Sequence, residues 1–97
     1  MEENKKQKSL TLTLSGSLDV KAAPKLETEL MVAFNEAKNV ILDFKEVTYI
    51  SSSGLRVLLT GDKTAKEKRG KMSITNTTPF IMQIFKVTGF SDILDIS

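Results

Sequence analysis

Three consecutive serines, Ser51, Ser52 and Ser53, followed by Gly54, are the residues whose type and spacing could do chemistry. Ile50 precedes them and Leu55 follows. With Ser51 as the N-cap of a helix, Ile50 stands at N′ and Leu55 at N4, the pairing of a hydrophobic staple. Ser52 and Ser53 then fill the first helical positions, beside backbone N–H groups that have no intrahelical acceptor. Such a helix start suits an anion. A phosphate on one of these serines would bring about −1.5 to −2 charges near pH 7. Plain capping accounts for the same serines without any phosphate. Gly54 keeps the first turn free of side-chain bulk, so the expectation is that a protein partner could approach closely there.

The rest of the chain offers little other chemistry. Its 97 residues include no His and no Cys. A Ser-His-Asp triad, thiol catalysis, thiolate metal sites and disulfides are therefore excluded. Gly61-Asp62-Lys63-Thr64 has the ending of a phosphate-binding loop, but the earlier glycine is missing and the segment falls inside a helical pattern. Asp92 and Asp95 have no acid or base partner nearby in sequence and read as solvated carboxylates. Phe80, Phe85 and Phe90 lie at helical spacing or just past a helix end, which reads as core rather than a stacking platform. The expectation is a binding protein and not an enzyme, with no cofactor and no metal.

Charge and composition narrow the partners. The net charge of +2 is too small to indicate direct nucleic-acid binding. Lys5, Lys6 and Lys8 form the one small basic group, expected to lie in a solvated, flexible tail over residues 1–8. Hydrophobic residues at 40% and charged residues at 27% suit a single soluble domain over residues 9–97. No run approaches the roughly 18 apolar residues of a membrane span. The polar N-terminus is unlike a secretory signal, so the cytoplasm is the expected location.

These residues need elements to position them. Leu10, Leu12 and Leu14 alternate with threonine, a half-buried strand that Ser15-Gly16-Ser17 should break. Ala23, Leu26, Leu30 and Phe34 form a helical stripe with Pro24 in its first turn. Asp19 lies slightly early to be its cap. Val40, Ile41, Leu42 and Phe44 read as a strand covered on both faces, and Lys45–Tyr49 as an irregular connection. Leu55, Leu58, Leu59 and Ala65 mark a second helix, with Gly70 as its left-handed end. Lys71–Thr75 is a short strand. Thr77-Thr78-Pro79 starts a third helix with the stripe Phe80, Ile81, Ile84 and Phe85, and Gly89 stops it. Ile93, Leu94 and Ile96 form a last strand or an apolar tail. The order β-α-β-α-β-α-β predicts an α/β layered domain with some parallel pairing.

Thr48-Tyr49-Ile50-Ser51-Ser52-Ser53-Gly54-Leu55-Arg56-Val57-Leu58-Leu59 resembles the signature of the STAS domain family. Leu14-Ser15-Gly16-Ser17-Leu18-Asp19 resembles that family's first block, and Val87-Thr88-Gly89-Phe90 its closing helix end. The resemblance covers residues 9–97. It implies a small mixed β-sheet flanked by helices. It also implies an anti-sigma-factor antagonist, whose partner is an anti-sigma factor with serine kinase activity. One phosphorylated serine would switch that binding off. Aligned on the usual Asp-Ser-Ser/Thr-Gly, Ser52 takes the phosphoacceptor position and Ser51 replaces the aspartate. A serine keeps the capping acceptor but carries no charge. Asp19, Ser51, Ser53, Gly54, Leu55 and Arg56 would surround the phosphoserine and meet the partner. The alternative role is a constitutive STAS assembly module of a lipid-transport ABC complex or a signalling scaffold.

Overall fold

Leucine alternating with threonine builds the first strand, β1, over Ser9–Leu18 in a computed structural model that describes residues 8–97. The tail expected over residues 1–8 lies outside the described residues, except for exposed Lys8. Helix α1 follows at Ala23–Glu36, then β2 at Asn39–Ile50, α2 at Ser52–Glu67 and β3 at Lys71–Thr75. Helix α3 spans Pro79–Thr88, a short 3-10 turn covers Phe90–Asp92, and β4 is Asp95–Ile96.

The sheet order is β1-β2-β3-β4, and every pairing among the described residues is parallel. The α/β class with a small sheet flanked by helices is as expected, and the described part of that sheet is parallel. The cause is connectivity: a helix or helical turn separates each pair of neighbouring strands, and no hairpin joins them. Successive crossovers step in one direction, and right-handed crossovers then put the helices on one face.

That face carries Leu14, Val40, Leu42, Phe44, Met72 and Ile74, all buried. Leu26, Leu30, Phe34, Leu58 and Phe85 from the helices complete one apolar cluster with them. Phe44 and Phe85 meet at 5.9 Å between ring centroids. The opposite face is open and polar, with Thr11 and Thr13 exposed and Asp43, Ser73 and Thr75 half-buried. Ile41 lies on this face, half-buried, so β2 is not covered on both sides as its apolar run suggested.

Two boundaries also differ. Neither Ser15-Gly16-Ser17 nor Lys45–Tyr49 ends its strand. The two segments pair with each other, from Ser15↔Glu46 to Leu18↔Ile50, through two register shifts that each add a residue to β2. At the end of α2, Arg69 and not Gly70 takes the left-handed conformation, with φ of 61°. Gly70 is required for space, because a Cβ there would lie 1.8 Å from the Lys38 carbonyl oxygen. Gly89 does end α3 in the left-handed conformation, as expected.

Asp95 is exposed, as its solvated reading required, yet it is held. The Lys71 ammonium lies 3.1 Å away and the Ser73 hydroxyl donates at 3.0 Å. These two contacts, Lys71 first, hold its carboxyl below the ordinary value. Asp62, inside α2, is buried and paired with Lys66 at 3.1 Å, which confirms that Gly61–Thr64 is helix and not a phosphate loop.

Candidate functional site

Ser51 has the extended backbone of an N-cap, with φ of −93° and ψ of 175°. Its Oγ accepts from the Gly54 N–H at 3.4 Å and donates to the Leu18 carbonyl oxygen at 3.2 Å. The Ser51 N–H donates to that same oxygen at 3.0 Å. One serine therefore caps α2 and ties it to the end of β1. Ile50 and Leu55 are both buried, as a staple requires.

Gly54 faces inward, contrary to the open approach expected of it. A Cβ there would sit 2.5 Å from the Leu18 carbonyl oxygen and 2.8 Å from Ile50 Cγ1. The space that the missing side chain leaves is filled by the protein itself. Leu55 is likewise buried, at 7% exposure, so neither residue presents a side chain to a partner.

Ser52 stands at the first helical position and is exposed; Ser53 is half-buried. The cap satisfies the Gly54 N–H and leaves the amides of Ser52 and Ser53 without intrahelical acceptors. Arg56 is exposed one turn along the same helix face, at the i+4 spacing that makes side chains neighbours. The site thus combines an exposed hydroxyl, a helix N-terminus and a guanidinium.

Asp19 holds the turn that leads into α1. Its Oδ1 accepts from the Lys21 and Ala22 N–H groups at 3.0 and 3.1 Å. Its carbonyl oxygen accepts from the Ala22 and Ala23 N–H groups. Ala22, the residue before α1, makes no side-chain cap, so Asp19 organises that turn in its place. Chain continuity through Leu18 keeps it next to Ser51.

Parallel strands bring the ends of β1, β2 and β3 to one side, where sheets of this kind bind ligands. Three exposed apolar residues lie in or after those strand ends. Tyr49 is 46% exposed, Phe80 57% and Val20 69%. Tyr49 and Phe80 rings lie 6.5 Å apart with a 31° tilt. Sequence reasoning missed Tyr49 and assigned Phe80 to the core. The signal was present: Ile81 and Phe85 complete the buried stripe of α3, which leaves Phe80 on its flank.

Ser51→Ala removes both the cap acceptor and the donor to Leu18. It is expected to lower stability by about 1 kcal/mol in urea unfolding. Ser51→Asp restores the acceptor alone and turns a carboxylate toward the Leu18 carbonyl, so its stability should not exceed that of the wild type.

Comparison with known proteins gives the following. The model of the STAS domain matches residues 1–97. The chain is 29% identical over 91 residues to the anti-sigma-B factor antagonist of Bacillus subtilis, covering 94% of this chain and 84% of that protein. It is 30% identical over 89 residues to BtrV of Bordetella bronchiseptica, provisionally described as an anti-sigma factor antagonist, covering 91% and 77%. Among solved structures it resembles the Bacillus cell fate determinant SpoIIAA in its phosphorylated form. The TM-score is 0.68 at 19% identity, covering 90% of this chain and 80% of that one.

Proposed function

Because this chain belongs to the STAS domain family, we propose that it is an anti-sigma factor antagonist whose partner binding is switched off by phosphate on Ser52. The partner in this reading is an anti-sigma factor with serine kinase activity, met in the cytoplasm. The observation that carries the reading is the exposed Ser52 at the first position of α2, beside Ser51, whose hydroxyl is engaged by the Gly54 N–H and the Leu18 carbonyl. Relatives that the chain matches over most of their length are named for this role, which supports it.

The mechanism is local. Unmodified, the start of α2 carries no negative charge: uncharged Ser52 and Ser53 form its tip, Arg56 lies one turn on, and Tyr49, Phe80 and Val20 lie near the strand ends. A phosphate on Ser52 adds charge and bulk at that surface. It is stabilised within this chain by the helix start. A closely fitted partner must either desolvate the phosphate or withdraw from it. The fold need not change, because Ser51 and Gly54 fix the helix start to β1 whether or not Ser52 is modified.

The test is incubation with an anti-sigma factor kinase and ATP, followed by mapping of the phosphate by mass spectrometry. One phosphate is expected, on Ser52, and none on Ser52→Ala. Phosphate on another residue would move the switch elsewhere. No phosphate with any such kinase would favour the constitutive assembly module.

A further inference from the structure

The two edges of the sheet are built differently. β4 is two residues long, and its Asp95 is paired with Lys71. A short, charged edge of this kind resists pairing with other chains. β1 is ten residues long. From Ser9 to Leu18 it contains no charged residue and no proline. Among the described residues, its outer edge has no partner strand.

The hydrogen-bonding groups on that edge can be assigned. The Asn39 N–H donates to the Lys8 carbonyl at 3.3 Å. Lys8, Leu10 and Leu12 therefore turn their peptide groups toward β2, and Ser9, Thr11 and Thr13 turn theirs outward. A groove of about 280 Å3 runs beneath the same edge, with an apolar floor of Leu10 and Leu12 of β1 and Val32 and Ala33 of α1, and Thr28, Glu29 and Glu36 along its α1 rim. Val32 is 52% exposed. A second hollow of about 200 Å3 continues the groove past Thr13 and Glu29.

We propose that this edge pairs with the same edge of a second copy of the chain, joining two four-stranded sheets into one. β1 is self-complementary about Thr11. Antiparallel pairing around a two-fold axis there sets Thr11 opposite its own copy and Ser9 opposite Thr13, each a hydrogen-bonded pair. Leu10 then lies opposite Leu12, and both keep their side chains on the groove face. The threonines meet on the open polar face. Met1–Gln7 contain a single apolar residue, Met1, and no alternation of the Leu-Thr kind. The edge lies along β1, and the Ser52 surface is at the strand ends, so the pairing leaves that surface accessible.

The experiment is sedimentation equilibrium of the full chain beside Thr11→Pro, with thermal melting of both. Proline at an outward N–H removes an edge donor without breaking the β1–β2 ladder. The wild type is expected to sediment at twice the monomer mass and Thr11→Pro as a folded monomer. Cysteine pairing gives a second readout, since the chain has no native Cys. Thr11→Cys should oxidise to a covalent dimer, while Ser73→Cys, in the interior of the sheet, should not. A wild type that stays monomeric at every concentration overturns the proposal, as does a dimer that survives Thr11→Pro. If Thr11→Pro fails to fold, the cysteine pair decides: absence of a Thr11→Cys covalent dimer overturns it.

Discussion

Ser52→Asp is expected to bind the anti-sigma partner at least about tenfold more weakly than the wild type, while folding at least as stably. The two effects have opposite signs because they have different causes. An aspartate at the first position of α2 faces amides without intrahelical acceptors and the positive end of the helix dipole, worth about 0.3–1 kcal/mol of stability. The same charge placed against a fitted partner costs desolvation, and opposed like charges cost several kcal/mol. About 1.4 kcal/mol is already tenfold in affinity. Ser52→Ala carries no charge and should keep wild-type binding. Calorimetric titration and thermal melting of the three proteins separate the two effects. A Ser52→Asp variant that binds as tightly as the wild type would show that charge at this position does not act on the partner.

Gly54→Ala is expected to be among the most damaging small substitutions in the chain. Helix propensity alone would favour alanine by about 1 kcal/mol. The added Cβ, however, would meet the Leu18 carbonyl oxygen at 2.5 Å, and that oxygen is backbone. It also accepts both bonds from Ser51. Relieving the contact pushes β1 away from α2 and weakens those bonds. Overpacking of this kind costs about 3 kcal/mol at its upper end. The net loss of about 2 kcal/mol corresponds to a fall of roughly 10 °C in Tm for a domain of this size. A melting temperature equal to or above that of the wild type would show that the helix start tolerates the methyl group.

Much of this organisation is written locally in the chain. Thr78-Pro79 starts α3 and Gly89 ends it, because caps depend on a few adjacent residues. Ser51 as cap was legible for the same reason. The full length of β2 was not. Buried Phe44, Val47 and Ile50 are spaced by three, since each register shift inserts a residue and breaks the period of two. Gly54 and Gly70 look like local features, yet their need for space comes from Leu18 and Lys38, distant in sequence. The second bond of Ser51 is also long-range, to a residue 33 positions earlier. The open face of the sheet follows from the single direction of its crossovers, which no short segment encodes. Thus the start of α2, the proposed seat of the switch, could be located from adjacent residues, while what holds it in place could not.

The most direct test of the switch is a calorimetric titration of the anti-sigma partner with two preparations of this chain, one unmodified and one stoichiometrically phosphorylated on Ser52. The unmodified chain should bind tightly, and the phosphorylated chain at least about tenfold more weakly, with unchanged circular dichroism. Equal affinities for the two preparations would contradict the account.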